Sequence, residues 1–171
     1  MFATFDALLS KHSVHKVTTI GDAYVAATGL PFMTSKSPQL DIVEFALDMV
    51  AAVRSFVTDD GERMQIRVGI HVGPVAAGIV GVAMPRYCLF GETVAIAEQL
   101  EERSESGRIL ISEDMRNSLM ATASDDSSNV SLDYENGEKS IELPDGGKLS
   151  TYLLSAQVKR RRQSLAALET M

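Results

Sequence analysis

The 171-residue chain contains a single cysteine, no tryptophan and only three histidines. One cysteine excludes an internal disulfide and a zinc site built from cysteines, and it is typical of a reducing compartment. His12, His15 and His71 lack the close spacing of paired metal ligands, so we interpret each of them as structural or solvated. No apolar run approaches the roughly 18 residues of a membrane span, and the first residues lack the apolar core of a signal peptide. The sequence therefore predicts a cytoplasmic protein, or the cytosolic domain of a larger membrane protein.

Positive charge is also scarce, since 16 Lys and Arg face 23 Asp and Glu for a formal net charge of -7. This acidic balance argues against binding of a nucleic-acid polymer. Neither G-x-G-x-x-G nor G-x-x-x-x-G-K-[ST] occurs, so neither a dinucleotide-binding fold nor a P-loop is indicated. Hydrophobic residues make up 45% and charged residues 23%, which predicts a soluble globular domain with a real core.

Helical periodicity is clear in three segments. Apolar residues recur at helical spacing over residues 2–10, 38–57 and 92–103, which predicts amphipathic helices there. Ser112 is predicted to cap a fourth helix over residues 113–120.

Runs of β-branched and apolar residues predict strands between these helices. The predicted strands are Lys16–Ile20, Tyr24–Thr28, Met64–Val72, Pro74–Val80, Arg108–Ile111 and parts of residues 130–154. The first two flank a Gly21-Asp22 turn, which indicates a hairpin, and the next two predict a second hairpin joined at residues 71–73. The order of elements predicts an α+β fold in which the helices cover one face of the sheet.

A change of composition near residue 155 predicts the domain limits. Residues 1–155 are interpreted as one domain and residues 156–171 as a basic C-terminal tail. The run KRRR at 159–162 is interpreted as a solvated linker, with contact to anionic lipid or a partner as the alternative.

Two longer segments carry a more specific pattern. They are KVTTIGDAYVAATGLP, residues 16–31, and IRVGIHVGPVAAGIVGVAMPRYCLFGETVAIAEQLEE, residues 66–102. Together they resemble the catalytic domain of class III nucleotide cyclases, and MPRYCLFG is most similar to the guanylyl cyclase branch. The resemblance implies a ferredoxin-like domain with a mixed, mostly antiparallel sheet. It also implies dimers with composite sites that convert a purine nucleoside triphosphate to a 3′,5′-cyclic nucleotide and pyrophosphate.

The resemblance assigns residues to the metal-bearing half of such a site. Asp22 matches one of two aspartates that hold Mg²⁺ or Mn²⁺ against the triphosphate, and a carboxylate at a strand turn suits a hard cation. The alternative is that Asp22 only shapes the turn. Arg67 matches an arginine that supports the phosphates, with a solvated arginine at a strand edge as the alternative.

The family's second metal aspartate lies on an inner strand upstream of the first predicted helix. The resemblance therefore implies that this chain lacks the family's first strand and is N-terminally incomplete. It also predicts unpaired backbone groups and an exposed apolar face where that strand would lie.

The base-reading positions are mixed. Thr18 stands where guanylyl cyclases have a glutamate, and Cys88 matches a cysteine that faces the guanine O6. A small buried side chain in a strand is the alternative for Cys88. The resemblance therefore favours GTP over ATP on similarity of the segment.

The groups that stabilise the transition state are missing. Ala95 and Gln99 occupy the family's asparagine and arginine positions, and Pro144 aligns with its phosphate lysine. Removal of one such donor typically costs a factor of about 10²–10³ in rate. We therefore expect the metal-bearing half of a dimer, a heterodimer in preference to a homodimer, and an isolated chain that is inactive. One alternative is a degenerate cyclase-like module that regulates an active partner; an unrelated α+β interaction domain is another.

Overall fold

Within residues 1–122, 130–136, 140–143 and 146–158, which the computed structural model describes, the chain forms four helices and ten strands. The helices are α1 Phe2–Leu9, α2 Pro38–Val53, α3 Glu92–Arg103 and α4 Glu113–Thr122. The strands are β1 His15–Ile20, β2 Ala23–Ala27, β3 Val68–Ile70, β4 Ala76–Val80, β5 Arg86–Phe90, β6 Ile109–Ser112, β7 Val130–Asn136, β8 Ile141–Glu142, β9 Lys148–Leu149 and β10 Thr151–Val158. No helix in these described segments is long and apolar enough to cross a bilayer.

The main sheet has four strands in the order β3-β6-β10-β7. β3 runs parallel to β6, whereas β10 is antiparallel to both β6 and β7. The predicted mixed, mostly antiparallel sheet and the α+β class are therefore confirmed. Among the described residues β3 has a ladder with β6 alone, and the predicted absence of an inner strand stays a prediction.

The helices lie on both faces of this sheet, so the predicted placement of all helices on one face is wrong. Ile109 and Ile111 pack into one core cluster with buried residues of α2 and α4. Leu110, between them, packs into a second cluster with Ile96 and Leu100 of α3. The physical reason is that every residue of β6 is buried, and a strand buried on both faces needs cover on both.

Helix α3 approaches the sheet closely at Gly69 of β3. A Cβ atom at this position would collide with the backbone of Ala97 and Glu101 in α3. Gly69 of β3 pairs with Leu110 of β6, so both residues lie on the face of the sheet that α3 covers. The absence of a side chain at Gly69 therefore sets the distance between α3 and the sheet.

The first predicted hairpin is confirmed as a separate two-stranded sheet, β1-β2. One of its faces is covered by α1, where Phe5 contacts Tyr24 edge-on with ring centroids 5.5 Å apart. The ladder register shifts between Lys16 and Thr18, which leaves Val17 as a one-residue bulge.

The second predicted hairpin is wrong in its pairing. β3 pairs with β6, and β4 pairs with β5, a strand that the sequence analysis had not assigned. The hairpin of β4 and β5, residues 76–90, is called the arm below. Residues 71–75 connect β3 to β4, and these two strands are not paired with each other. The arm therefore forms a two-stranded sheet separate from the main sheet.

Two predicted elements are much shorter in the structure, by four residues or more. The helix predicted to residue 57 ends at Val53, because the chain turns there and Met64 N–H bonds to the carbonyl of Phe56. Of the strand predicted over residues 64–72, Val68–Ile70 is a strand.

Candidate functional site

Asp22 lies at the tip of the β1-β2 hairpin. Gly21 precedes it with φ of +60°, a conformation that glycine adopts without the strain of a side chain. Asp22 is exposed, and within the described part of the chain its side chain has no hydrogen bond or ion pair. The carboxylate is therefore available to a ligand outside its own fold.

A divalent metal would need further ligands beyond Asp22. In the segments that the structure describes, no group of three or more His, Cys, Asp or Glu side chains could hold a metal ion. One carboxylate fits Mg²⁺, which usually binds one or two carboxylates together with substrate phosphates and waters. The chain thus fits part of a metal site and not a complete one.

Arg67 precedes β3 and contacts α3. Its Nε donates to Oε1 of Glu101 at 2.9 Å, and 48% of the arginine side chain remains exposed. The guanidinium therefore links the start of β3 to α3. A phosphate contact would have to share or replace the Glu101 pair.

Thr18 lies on the face of β1 that points away from α1, and the bulge at Val17 puts it there. Lys16 and Tyr24 belong to the α1 face, where the lysine Nζ lies 5.1 Å from the Tyr24 ring centroid. Because paired residues alternate between faces and Val17 is skipped, Thr18 shares the opposite face with His15. Its hydroxyl makes a long, 3.4 Å bond to the Thr19 carbonyl.

Cys88 lies in β5, paired with Gly78 of β4. It is partly buried, and its thiol donates weakly to the carbonyl of Arg86 at 3.7 Å. The preceding residue, Tyr87, contacts His15 of β1 with ring centroids 6.0 Å apart. The structure thus brings β1 and β5 together, while alternation places Cys88 and Tyr87 on opposite faces of the arm.

The positions of the lost transition-state groups lie on α3. Ala95 is exposed, and Gln99, one helical turn later, is half-buried and accepts a bond at its backbone carbonyl from Arg103. Neither side chain carries a charge that could stabilise a phosphate. Pro144 and the basic run 159–162 lie outside the described residues.

A cluster around His71 was missed by the sequence analysis as a unit. His71 Nδ1 lies 2.7 Å from the Oγ of buried Ser112. The same oxygen accepts a hydrogen bond from Met115 N–H at 3.1 Å, so the predicted cap of α4 is confirmed. Burial lowers the pKa of His71, although Asp114 and Glu92 act in the opposite direction. The predicted cap was the one signal for this cluster, because the partners are 41 residues apart in sequence.

A cleft of about 360 Å³ lies elsewhere, between α2 and the neighbouring ends of β6 and β10. Arg54, Arg108 and Ser155 are among the residues that line it, and no predicted site residue does. The candidate residues are instead distributed over open surfaces of the hairpin, the arm and α3.

The chain matches the family model described as the adenylate and guanylate cyclase catalytic domain over residues 1–156. Among curated proteins it is 41% identical over 123 residues to guanylate cyclase 2G of Mus musculus, which covers 71% of this chain and 11% of that protein. It is 35% identical over 161 residues to atrial natriuretic peptide receptor 2 of Mus musculus, covering 93% of this chain and 15% of that receptor. The chain thus spans 11 to 15% of the length of these relatives.

Solved structures give the same likeness. The guanylate cyclase domain of RhGC from Catenaria anguillulae, in complex with GTP, superimposes with a TM-score of 0.74 at 33% identity, covering 91% of this chain and 80% of that one. A dimeric guanylyl cyclase domain of the RhoGC fusion protein from Blastocladiella emersonii gives a TM-score of 0.70 at 30% identity, with 91% and 80% covered.

Proposed function

The chain belongs to the adenylate and guanylate cyclase catalytic domain family, and from this premise we propose that it forms one half of a dimeric nucleotide cyclase. The reaction converts a purine nucleoside triphosphate, GTP in preference to ATP, into a 3′,5′-cyclic nucleotide and pyrophosphate. The GTP complex of the similar RhGC domain supports the substrate class. The similarity to a natriuretic peptide receptor supports a role in intracellular signal transduction, on the cytosolic side of a membrane.

The observation that carries the proposal is the free Asp22 carboxylate at an exposed hairpin tip. This chain contributes the metal-bearing side, with Asp22 as one ligand of Mg²⁺ or Mn²⁺. When bound, the metal neutralises charge on the triphosphate and lowers the pKa of the 3′-hydroxyl. Arg67 is proposed to contact a phosphate in exchange for part of its pair with Glu101.

The other side of the site comes from a partner. Ala95 and Gln99 give α3 of this chain no group that stabilises a pentavalent phosphorus, and the exposed carboxylate of Glu98 lies in the same helix. In-line attack of the 3′-oxygen on the α-phosphorus, with pyrophosphate as leaving group, depends on positioning and electrostatic stabilisation. A heterodimer supplies the positioning and the electrostatic stabilisation, because the partner's helix carries the asparagine and the arginine.

The arm supplies a surface for this association. Ile79 is 74% exposed, Met84 is 74% exposed and Val82 is fully exposed. A group of exposed apolar side chains on one hairpin is typical of an interaction site. The second cyclase domain is therefore proposed to pack against the arm.

A complementation assay tests the proposal. The chain is co-expressed with a guanylyl cyclase domain that carries the asparagine, arginine and lysine but has both metal aspartates changed to alanine, and cyclic nucleotide is measured with GTP and with ATP. Since Asp22 is the one metal carboxylate that this chain is proposed to supply, with the triphosphate completing the metal's ligands, we expect weak synthesis from GTP with the wild-type chain and a further loss of about 10²-fold or more with Asp22→Ala. Asp22→Asn, which keeps the size but not the charge, should lose most of the same activity.

The outcomes separate two candidate functions. Synthesis that is indifferent to Asp22→Ala refutes the role of this carboxylate. A complex that forms without synthesis refutes the enzymatic proposal and favours the second candidate, a degenerate cyclase-like module that binds and regulates an active partner. The uncharged α3 positions Ala95 and Gln99 are the observation that favours that second candidate.

A further inference from the structure

The β1-β2 hairpin, whose tip carries Asp22, is joined to the rest of the molecule through α1. Within the described residues this hairpin is a sheet of its own, without a ladder of hydrogen bonds to the main sheet. A two-stranded hairpin alone is marginally stable in water. The orientation of the tip is therefore set by the side chains that join the hairpin to the helices.

A single carboxylate of α1 holds both strands of the hairpin. Asp6 accepts hydrogen bonds from Lys16 Nζ of β1, at 2.8 Å to Oδ1 and 2.9 Å to Oδ2. Its Oδ1 also accepts from the Tyr24 hydroxyl of β2 at 2.8 Å. The lysine ammonium lies 5.1 Å from the centroid of the Tyr24 ring. These three side chains therefore form one connected unit, which is called the Asp6 anchor below.

The ring of Tyr24 places this anchor on the apolar core. Its centroid lies 5.5 Å from that of Phe5 in α1 and 6.4 Å from that of Phe45 in α2. Both phenylalanines are almost fully buried. The same core cluster includes the partly buried Ile66, which directly precedes Arg67 in the chain. The hairpin and the segment that carries Arg67 therefore pack on one common base.

The anchor lies close to the hairpin tip. Tyr24 pairs with Thr19, and one further pair, Ile20 with Ala23, separates it from the turn that contains Asp22. Within the described part of the chain the Asp22 side chain has no hydrogen bond or ion pair of its own. A change in the tilt of the hairpin on α1 would therefore move the Asp22 carboxylate directly.

We infer that Asp6 is a positioning residue, which fixes the Asp22 carboxylate relative to Arg67 by holding Lys16 and Tyr24 against α1. Asp6 acts through the hairpin and contacts neither the metal nor a phosphate. The inference rests on the proposed function, because it requires that Asp22 binds a metal ion and Arg67 a phosphate. Since both groups would act on one triphosphate, their relative position limits how well that triphosphate is held for reaction.

Spin-label distances test the anchor without any ligand. In a Cys88→Ser background, labels are placed at two exposed positions by Ala23→Cys beside the tip and Ala51→Cys on α2. We expect a narrow distance distribution that Asp6→Ala broadens or shifts. Tyr24→Phe, which keeps the ring and removes the hydroxyl, should produce a smaller change of the same kind. Equal distributions with and without Asp6→Ala overturn the inference.

The matched control removes an ion pair outside the hairpin. Arg108 Nη2 lies 2.8 Å from Glu135 Oε2, as close as Lys16 Nζ lies to Asp6 Oδ1. Glu135→Ala should therefore leave the distance distribution narrow. Equal broadening by Glu135→Ala and Asp6→Ala indicates general loosening and overturns the anchor. If Asp6→Ala does not fold, Asp6→Asn replaces it, since asparagine keeps an acceptor but loses the charge that holds the lysine.

The Mn²⁺ dependence of the complementation assay tests the consequence for the metal. Groups that orient a metal ligand commonly affect metal affinity by about tenfold or more. Asp6→Ala should therefore raise the Mn²⁺ concentration that gives half-maximal synthesis by about tenfold. Asp6→Glu, which restores a carboxylate, should recover part of the loss, and Glu135→Ala should keep the wild-type value.

The two measurements separate this inference from the proposed function. An unchanged Mn²⁺ dependence in Asp6→Ala overturns the inference, even where the distances broaden. A wild-type complex that makes no cyclic nucleotide overturns the proposed function instead. The ligand-free distances then still decide whether Asp6 fixes the hairpin tip.

Discussion

His71 and Ser112 form a part-buried polar pair between segments that are distant in sequence. The Ser112 hydroxyl accepts from Met115 N–H, so its own hydrogen is free to donate to His71 Nδ1, 2.7 Å away. That geometry suits the neutral imidazole, and burial lowers the pKa of His71 in the same sense. The contact between His71 and Ser112 therefore connects the end of β3 to the start of α4.

The first prediction concerns the pH dependence of stability. The pKa of His71 in the folded state lies below its ordinary value of 6.5. As the pH falls below 6.5, His71 therefore takes up a proton in the unfolded chain before it does so in the folded chain. The unfolding free energy should therefore fall as the pH drops through 6.5 toward the folded-state pKa, and this contribution should be fully present above 6.5. Urea denaturation at a series of pH values measures it.

His71→Gln is the control for that measurement, because glutamine does not titrate. Its curve of unfolding free energy against pH should be flatter between about pH 7 and 5.5 than that of the wild type. Parallel curves for the two proteins would assign the pH dependence to other groups. Asp6, whose pKa is lowered by hydrogen bonds from Lys16 and Tyr24, titrates at a lower pH and does not interfere.

At the scale of helices and strands, local signals were predictable and distant pairing was not. The 3.6-residue period gave α2 and α3, and the Gly21-Asp22 turn gave the first hairpin, because each signal lies within the element that it forms. The partner of β3 is β6, some 40 residues away, and no local pattern specifies it. Residues 71–73 were therefore mistaken for a hairpin turn.

The candidate site follows the same division. The positions of Asp22 and Thr18 on the hairpin were predictable from the motif and the turn. The contact of Arg67 with Glu101, and that of His15 with Tyr87, join segments that are distant in sequence. Side-chain contacts of this kind depend on how whole elements pack, which residue types alone do not determine.

The second prediction concerns the contact between α3 and β3. Gly69→Ala places a methyl group against the backbone of α3, so helix and strand must move apart. We expect a loss of about 3 kcal/mol or more in unfolding free energy, at the upper end for overpacking. Thermal and urea denaturation of the purified variant measure the loss.

Gly78→Ala in β4 is the matched control. A Cβ at this position meets nothing within 4 Å, so the change in unfolding free energy should stay within about 0.5 kcal/mol. Equal effects of the two substitutions would show that the close approach at Gly69 is not what limits the packing of α3.

At the scale of the whole molecule, the described strands form several separate sheets rather than one continuous sheet. The main sheet packs against a helix-covered cluster on each face. The β1-β2 hairpin packs on α1, and the arm forms a separate sheet on which Ile79, Val82 and Met84 are exposed. The candidate residues are distributed over these parts and not gathered in one cavity. Such a distribution suits a site that is completed at an interface between two subunits.

The third prediction concerns association through the arm. Val82→Asp and Ile79→Asp each put a charge into the proposed apolar contact. Each should therefore weaken the dimer with the second cyclase domain by about tenfold or more. Sedimentation equilibrium across a concentration series measures the dissociation constant, and circular dichroism confirms that the fold is retained. Met120→Asp, at an exposed apolar residue of α4, should leave association unchanged. Weakening by Met120→Asp alone would place the interface on α4 instead.

The arm forms a sheet separate from the main sheet, and this affects how the protein responds to heating. A two-stranded ribbon without neighbouring strands is marginal in water, whereas the main sheet is anchored by buried side chains on both of its faces. Gentle warming should therefore fray the ribbon while the centre of the molecule stays native. If two subunits associate through the arm, as proposed, they would then part, and any shared chemistry would stop, at temperatures well short of global melting.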